Sequence, residues 1–152
     1  LSLIQMRPDM EKDSNILEWV AFASNAFNVL VPFYADVDEI PEYLGNTTGE
    51  VSTDNFYWSS RLIAAMADAS YRKSIFHIER YQEHVMSRAH ELIGLCDAAL
   101  AKENDGAKRL ALKQETNQAL ADMLKKETAA TLDKVLYELS NLMKNSYSRS
   151  DA

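Results

Sequence analysis

Residues 73–106 read KSIFHIERYQEHVMSRAHELIGLCDAALAKENDG. Ile75, Ile78, Tyr81, Val85, Ala89, Leu92, Cys96 and Ala99 recur at steps of three and four, which places them along one face of a long α-helix. Asn104-Asp105-Gly106 follows, a run that ends helices and makes turns. Beyond it, Leu110, Leu120, Met123 or Leu124, Leu132, Val135, Leu136, Leu139, Leu142 and Met143 take up helical spacing again. Polar stretches at 113–118 and 125–128 interrupt the middle of that second run. Two long helices joined at Gly106 predict an antiparallel hairpin whose facing stripes bury each other. The polar residues Asn145 to Ala152 read as a tail.

Upstream of the hairpin, Ser52 or Thr53 is expected to cap a further helix with Asp54 in its first turn. Its apolar stripe is read as Tyr57 or Trp58, Leu62, Ala65, Met66 and Ala69, ending near Ser70. Asp36 to Val51, with Pro41, Gly45, Asn46 and Gly49, has the chemistry of a loop. Leu1 to Arg7 reads as a short strand stopped by Pro8, and Asp9 to Asn15 as a polar turn. From Ile16 to Tyr34 the chain is apolar on both alternating sets, Leu17, Trp19, Ala21 and Ala23 against Ile16, Val20 and Phe22, as in strands covered on both faces. Ser24-Asn25-Ala26, read as a bulge or a tight turn, divides that run into two strands. The fold class is therefore α+β and helix-dominated, with short antiparallel strands followed by three long helices. Such a small sheet has too few neighbours in this chain to cover two apolar faces, which predicts that partner strands come from elsewhere and that the chain is a fragment.

The 152 residues are 47% hydrophobic and 26% charged, enough for one sizeable core. A formal net charge of -7 and a pI near 4.9 argue against a nucleic-acid partner, since phosphates repel excess carboxylate. A membrane span is not expected, because Trp19 to Tyr34 is broken by Ser24, Asn25, Asn28 and Pro32. A single cysteine allows no internal disulfide, and a cytoplasmic location is the default expectation.

Cys96 lies on the apolar stripe, where a cysteine packs as a small hydrophobe rather than reacting. His77, His84 and His90 share one helix with Glu83 and Glu91, but not at the i, i+3 or i+4 spacing of helical ligand pairs, so no metal and no cofactor is expected. Asp36, Asp38, Glu39 and Glu42 read as a solvated acidic loop. Gly-rich phosphate loop, Gly-x-Ser-x-Gly and His-Glu-x-x-His motifs are all missing from the sequence.

Three stretches carry a family likeness: Ile4-Gln5-Met6-Arg7-Pro8; Val31-Pro32-Phe33-Tyr34 with Asp38-Glu39-Ile40-Pro41-Glu42-Tyr43; and Val51 to Leu62, which includes Ser52-Thr53-Asp54-Asn55-Phe56-Tyr57-Trp58. Leu132 to Tyr137 and Arg149-Ser150-Asp151-Ala152 extend it. Together they resemble the C-terminal region of the bacterial dipeptidase A family, cysteine peptidases related to the secernins. The resemblance implies a layered N-terminal-nucleophile hydrolase, two stacked sheets flanked by helices, in which the α-amino group of an N-terminal Cys serves as the base.

On that likeness, residues 1–51 belong to the edge of the sandwich and 52–152 to a C-terminal helical region of a longer enzyme. No catalytic residue is expected within this chain, whose first residue is Leu1, and the isolated chain is expected to be inactive. Ser24 and Asn25 are the polar groups most suited to line a substrate cleft or, alternatively, simply to make the turn. The expected partner of the parent enzyme is a dipeptide, and a homo-oligomer is expected. The rival reading is a non-enzymatic helical interaction module that pairs with a second copy.

Overall fold

The computed structural model describes residues 1–24 and 26–143; Asn25 and residues 144–152, which include the expected tail from Asn145 and its family-like ending, lie outside the described residues. Three strands come first: β1 (Ser2–Met6), β2 (Ile16–Val20) and β3 (Val31–Tyr34). They form an antiparallel sheet in the order β1-β2-β3, with Leu3 opposite Trp19, Gln5 opposite Leu17, and Leu17 opposite Tyr34. A one-turn helix, α1 (Glu42–Gly45), lies inside the stretch read as loop. Three long helices follow: α2 (Phe56–Ala69), α3 (Tyr71–Leu100) and α4 (Gly106–Ser140).

The hairpin expected at Gly106 is the largest element pair of the fold. Asp105 caps α4, its Oδ1 accepting from the amides of Ala107 at 2.9 Å and Lys108 at 3.2 Å. Ile78, Tyr81, Val85, Ala89, Ile93, Cys96 and Leu100 of α3 are buried against Leu120, Ala121, Leu124 and Val135 of α4. Each fully buried aliphatic side chain contributes about 1.5–3 kcal/mol, so this seam dominates the stability of the chain. Between the helices the Tyr81 hydroxyl and Thr128 Oγ1 share a hydrogen bond of 2.7 Å, which satisfies both groups in the dry interior.

Helix α2 is rotated relative to its expected stripe. Phe56, Ser59, Ser60, Ile63, Ala64 and Ala67 face inward, whereas Ala65 and Ala69 are exposed. Small side chains at 59, 60, 64 and 67 let α2 lie close to its neighbours. Its cap is Asn55, whose Oδ1 accepts from the Trp58 amide at 2.9 Å, and Ser52 instead bonds the Asp54 amide in the preceding turn.

The connection between β2 and β3 is longer than the bulge or tight turn expected at Ser24-Asn25-Ala26. It runs from 21 to 30 and sends apolar side chains back into the core, with Ala21 and Val29 buried and Phe22 against Phe56 at a ring separation of 5.3 Å. Ala23 there has φ 57°, a left-handed conformation that strains a residue bearing a Cβ.

Leu17, Trp19, Pro32 and Tyr34 give the sheet one face, which lies toward α3. Val20 and Phe33 stand on the other face, beside Ile40, Pro41 and Leu44 around α1. That second cover stops short of β1, where Ile4 is 62% and Met6 77% exposed. The expectation that this chain does not itself cover both faces of its sheet therefore describes β1, while β3 is wholly buried.

Candidate functional site

The N-terminal third of α4 places polar side chains on its buried stripe. Arg109, Lys113 and Asn117 follow one another at four-residue steps and continue into Leu120, Ala121 and Leu124 on the same face. Each reaches a group in the strand region that would otherwise be unsatisfied. Arg109 makes a bidentate fork with Asp13, Nε and Nη2 each 2.7 Å from a carboxylate oxygen, and its Nη1 donates to the carbonyls of Leu100 at 2.6 Å and Glu103 at 3.0 Å. The arrangement holds the Asp13 carboxyl below its usual range, chiefly through that hydrogen bond and against the opposing effect of burial, and raises the Arg109 guanidinium. Lys113 donates to the Asp13 carbonyl, with Asp36 Oδ2 at 3.6 Å.

Asn117 does something different. Its Oδ1 accepts from the Tyr34 amide at 2.9 Å and its Nδ2 donates to the Tyr34 carbonyl at 3.0 Å. A side-chain amide thus takes the place of one rung of a neighbouring strand along β3.

Asp97 of α3 completes the attachment. Its two carboxylate oxygens accept from the Tyr34 hydroxyl and from Arg7 Nη1, both at 2.7 Å, and Arg7 also donates to the Ser14 carbonyl. The Arg7 guanidinium lies 5.6 Å from the centre of the Tyr34 ring. Desolvation, followed by its hydrogen-bonding partners, pushes the Tyr34 phenol far above its usual value, so it serves as a fixed donor rather than as a base.

Two clefts flank the sheet. One lies between it and α3, lined by Gln5, Trp19, His90, Gly94 and Asp97, with the Trp19 indole donating to Gln5 Oε1 at 2.8 Å and edge-on to His90. The other is the more apolar and opens on the far face, among Val20, Phe22, Phe33, Ile40 and Leu44, with Glu18 and Glu39 also lining it.

Ser2 and Glu18, which both line the far-face cleft, share an exposed hydroxyl–carboxylate hydrogen bond of 2.7 Å, and among the described residues neither cleft is lined by a cysteine. Cys96 is buried, as its place on the stripe implied, and its Sγ contacts only the Leu112 carbonyl at 3.7 Å among the described hydrogen bonds. His77 pairs with Glu138 and His84 with Glu127, both across the α3–α4 seam, and His90 meets Trp19. Among the described residues no group of three or more His, Cys, Asp or Glu is placed to hold a metal. Asp36, Asp38, Glu39 and Glu42 are exposed.

Ser24 is exposed rather than buried. Its carbonyl accepts from the Phe27 amide at 3.1 Å and from Asn28 Nδ2 at 3.0 Å, the hydrogen bonds of a turn, and it lines a shallow groove beside Arg61 and Asp68. The sequence reading missed Arg109, Lys113, Asn117 and Asp97. The signal that could have found the first three is their four-residue spacing in line with Ala121.

No helix among the described residues is long and apolar enough to cross a membrane. This chain is similar in sequence to three curated relatives. A probable dipeptidase A of Streptococcus pyogenes serotype M18 is 37% identical over 150 residues, covering 99% of this chain and 31% of the relative. A dipeptidase of Bifidobacterium longum is 35% identical, covering 99% of this chain and 35% of its own length, and a probable dipeptidase B of Lactococcus lactis is 25% identical over 98% of the chain. The chain thus spans about a third of the length of the curated relatives it matches. The family model described as peptidase family C69 matches residues 1–84, from β1 into the first half of α3. That match takes in the sheet, the Asn55 cap and the whole of α2, and on it the chain belongs to peptidase family C69.

Proposed function

We propose that this chain is the C-terminal portion of a cysteine-type dipeptidase, and that it supports rather than performs the chemistry. Its similarity along 99% of its length to a streptococcal probable dipeptidase A supports the reading. In the longer enzyme an N-terminal Cys thiol attacks the dipeptide carbonyl while its own α-amino group takes the proton. That proton passes to the departing amine as the C–N bond breaks, and water then hydrolyses the thioester, returning the thiol.

Residues 1–51 contribute to the hydrolase sandwich and 52–152 brace it through Arg109, Lys113, Asn117 and Asp97. Ser24 and Asn25 are the residues of this chain assigned to the substrate side, Ser24 standing next to the strained Ala23. The enzyme is placed in the cytoplasm.

The test is dipeptide hydrolysis. The isolated chain is expected to release no amino acid from a panel of dipeptides, and turnover that is lost on Cys96→Ala would refute the reading. A non-enzymatic module that pairs with its own copy is the second reading, favoured by the exposed Ile4, Met6, Leu136 and Tyr137. Light scattering of the isolated chain tests this second reading, which a monomer refutes.

A further inference from the structure

The sheet has two edges, and they are built differently. Along antiparallel strands, alternate residues direct their backbone groups inward and outward. Leu1 exchanges both hydrogen bonds with Ala21, at 2.8 and 2.9 Å, and the Arg7 amide donates to Asn15, so Leu3 and Gln5 share the inward phase. Ser2, Ile4 and Met6 therefore point their N–H and C=O groups away from β2.

At the opposite edge the same parity turns Pro32 and Tyr34 outward, since the Ala35 amide donates to Ile16 and Glu18 pairs with Phe33. Pro32 has no N–H to offer, and both backbone groups of Tyr34 are taken by Asn117. The β3 edge is closed. The β1 edge has none of the usual protection: no charged residue, proline or bulge occupies Ser2–Met6, and all five residues are exposed.

We infer that β1 is the growing edge of this sheet and accepts one further strand, supplied by the two-thirds of a dipeptidase-length polypeptide that this chain does not span. The inference rests on the reading of the chain as a portion of such an enzyme, and it names where the remainder joins. The incoming strand bonds to Ser2, Ile4 and Met6, and its side chains beside Ile4 and Met6 are apolar, because those two are the most exposed part of the far face. Relatives about three times as long supply the material for that strand.

Co-expression of this chain with the part of the Streptococcus pyogenes probable dipeptidase A outside the aligned region tests it, with amide hydrogen exchange read by NMR. The amides of Ser2, Ile4 and Met6 are expected to slow about tenfold or more in the complex, since each gains a ladder bond. Ile4→Pro removes only an outward donor, so it is expected to abolish the complex while the chain alone keeps its circular dichroism and melting temperature. Protection gained along β3 instead overturns the inference. So does failure of both the co-expressed segment and overlapping peptides covering it to protect those three amides. A homodimer of the isolated chain with the same amides already protected also overturns it, by naming a second copy as the occupant. Dipeptide hydrolysis by the complex is scored separately: three protected amides without turnover refute the enzymatic reading and leave the strand addition standing, whereas turnover without protection does the reverse.

Discussion

Asn117→Ala tests whether a side chain closes the β3 edge. The wild-type carboxamide satisfies both the N–H and the C=O of Tyr34 at 2.9 and 3.0 Å, and Asn117 and Tyr34 are each only 2% exposed. Truncation leaves two buried backbone groups without partners, and each costs about 1–3 kcal/mol. Both residues border the far-face cleft, through which water can reach one of the freed groups, so the total is taken at about 2–4 kcal/mol. In a chain of this size that corresponds to a fall in melting temperature of about 4–16 °C. Urea unfolding followed by circular dichroism measures it as a lower midpoint at unchanged slope. Asn117→Leu restores most of the volume but not the hydrogen bonds and is expected to be nearly as damaging. Asn117→Asp keeps the acceptor for the Tyr34 amide but sets a carboxylate against the Tyr34 carbonyl. If the alanine and leucine variants both fall within about 0.5 kcal/mol of wild type, the range of an ordinary surface substitution, the rung assigned to Asn117 carries no stability and the reasoning fails.

The Asp13 fork makes stability depend on acid. The Asp13 folded-state pKa lies below its ordinary value of 3.8, so its contribution is present above that value and is lost as pH falls through the folded one. With the carboxyl 38% exposed, that contribution is about 1 kcal/mol after allowance for solvent screening. Asp13→Asn should flatten the acid limb of a stability–pH profile and lower the plateau at neutral pH, because Arg109 keeps its burial and loses its counter-charge. Gly94→Ala is expected to stabilise by about 0.5–1 kcal/mol, measured by thermal melting, since a Cβ there meets nothing within 4 Å inside a long helix. In an alkaline titration followed by near-ultraviolet difference absorbance, Tyr34, Tyr43 and Tyr81 should stay protonated while the chain is folded, because burial is the leading cause of each upward shift. The native signal should therefore fall short of the seven tyrosines present until the chain unfolds.

The hairpin was legible because its seam is built from Ile78, Tyr81, Val85, Ala89, Cys96 and Leu124, whose spacing and hydrophobicity agree. Elsewhere the two separated. Ser59 is buried with its Oγ donating to the Thr53 carbonyl at 3.0 Å, and a hydrophobicity count passes over it in favour of Ala65, which faces solvent. Lys113, Asn117 and Thr128 made the middle of α4 look interrupted for the same reason, although each sits on its buried stripe. Helical position can be read from a periodic pattern only while buried residues are apolar. Where a buried residue is polar, the partner that makes burial tolerable lies far along the chain, as Asp13 does from Arg109 and Tyr34 from Asn117, and no local window contains both.

Those long-range partners also explain why the sheet has a direction. Arg7, Asp13, Asn28 and Tyr34 are among the points at which the strand region is tied to α3 and α4, and they lie on the loop between β1 and β2, on the β2–β3 connection, or on β3. Five residues of β1 between Leu1 and Arg7 have no such tie, and their only ladder is the one to β2. A sheet secured on one side by a proline, a carboxamide and a buried tyrosine cannot add a strand there without dismantling α4. On the other side an added strand displaces only water and covers Ile4 and Met6, so both the backbone and the apolar surface favour the same edge. The polar stripe of α4, which looked like a defect in a helix, is thus what fixes the side from which the sheet is completed.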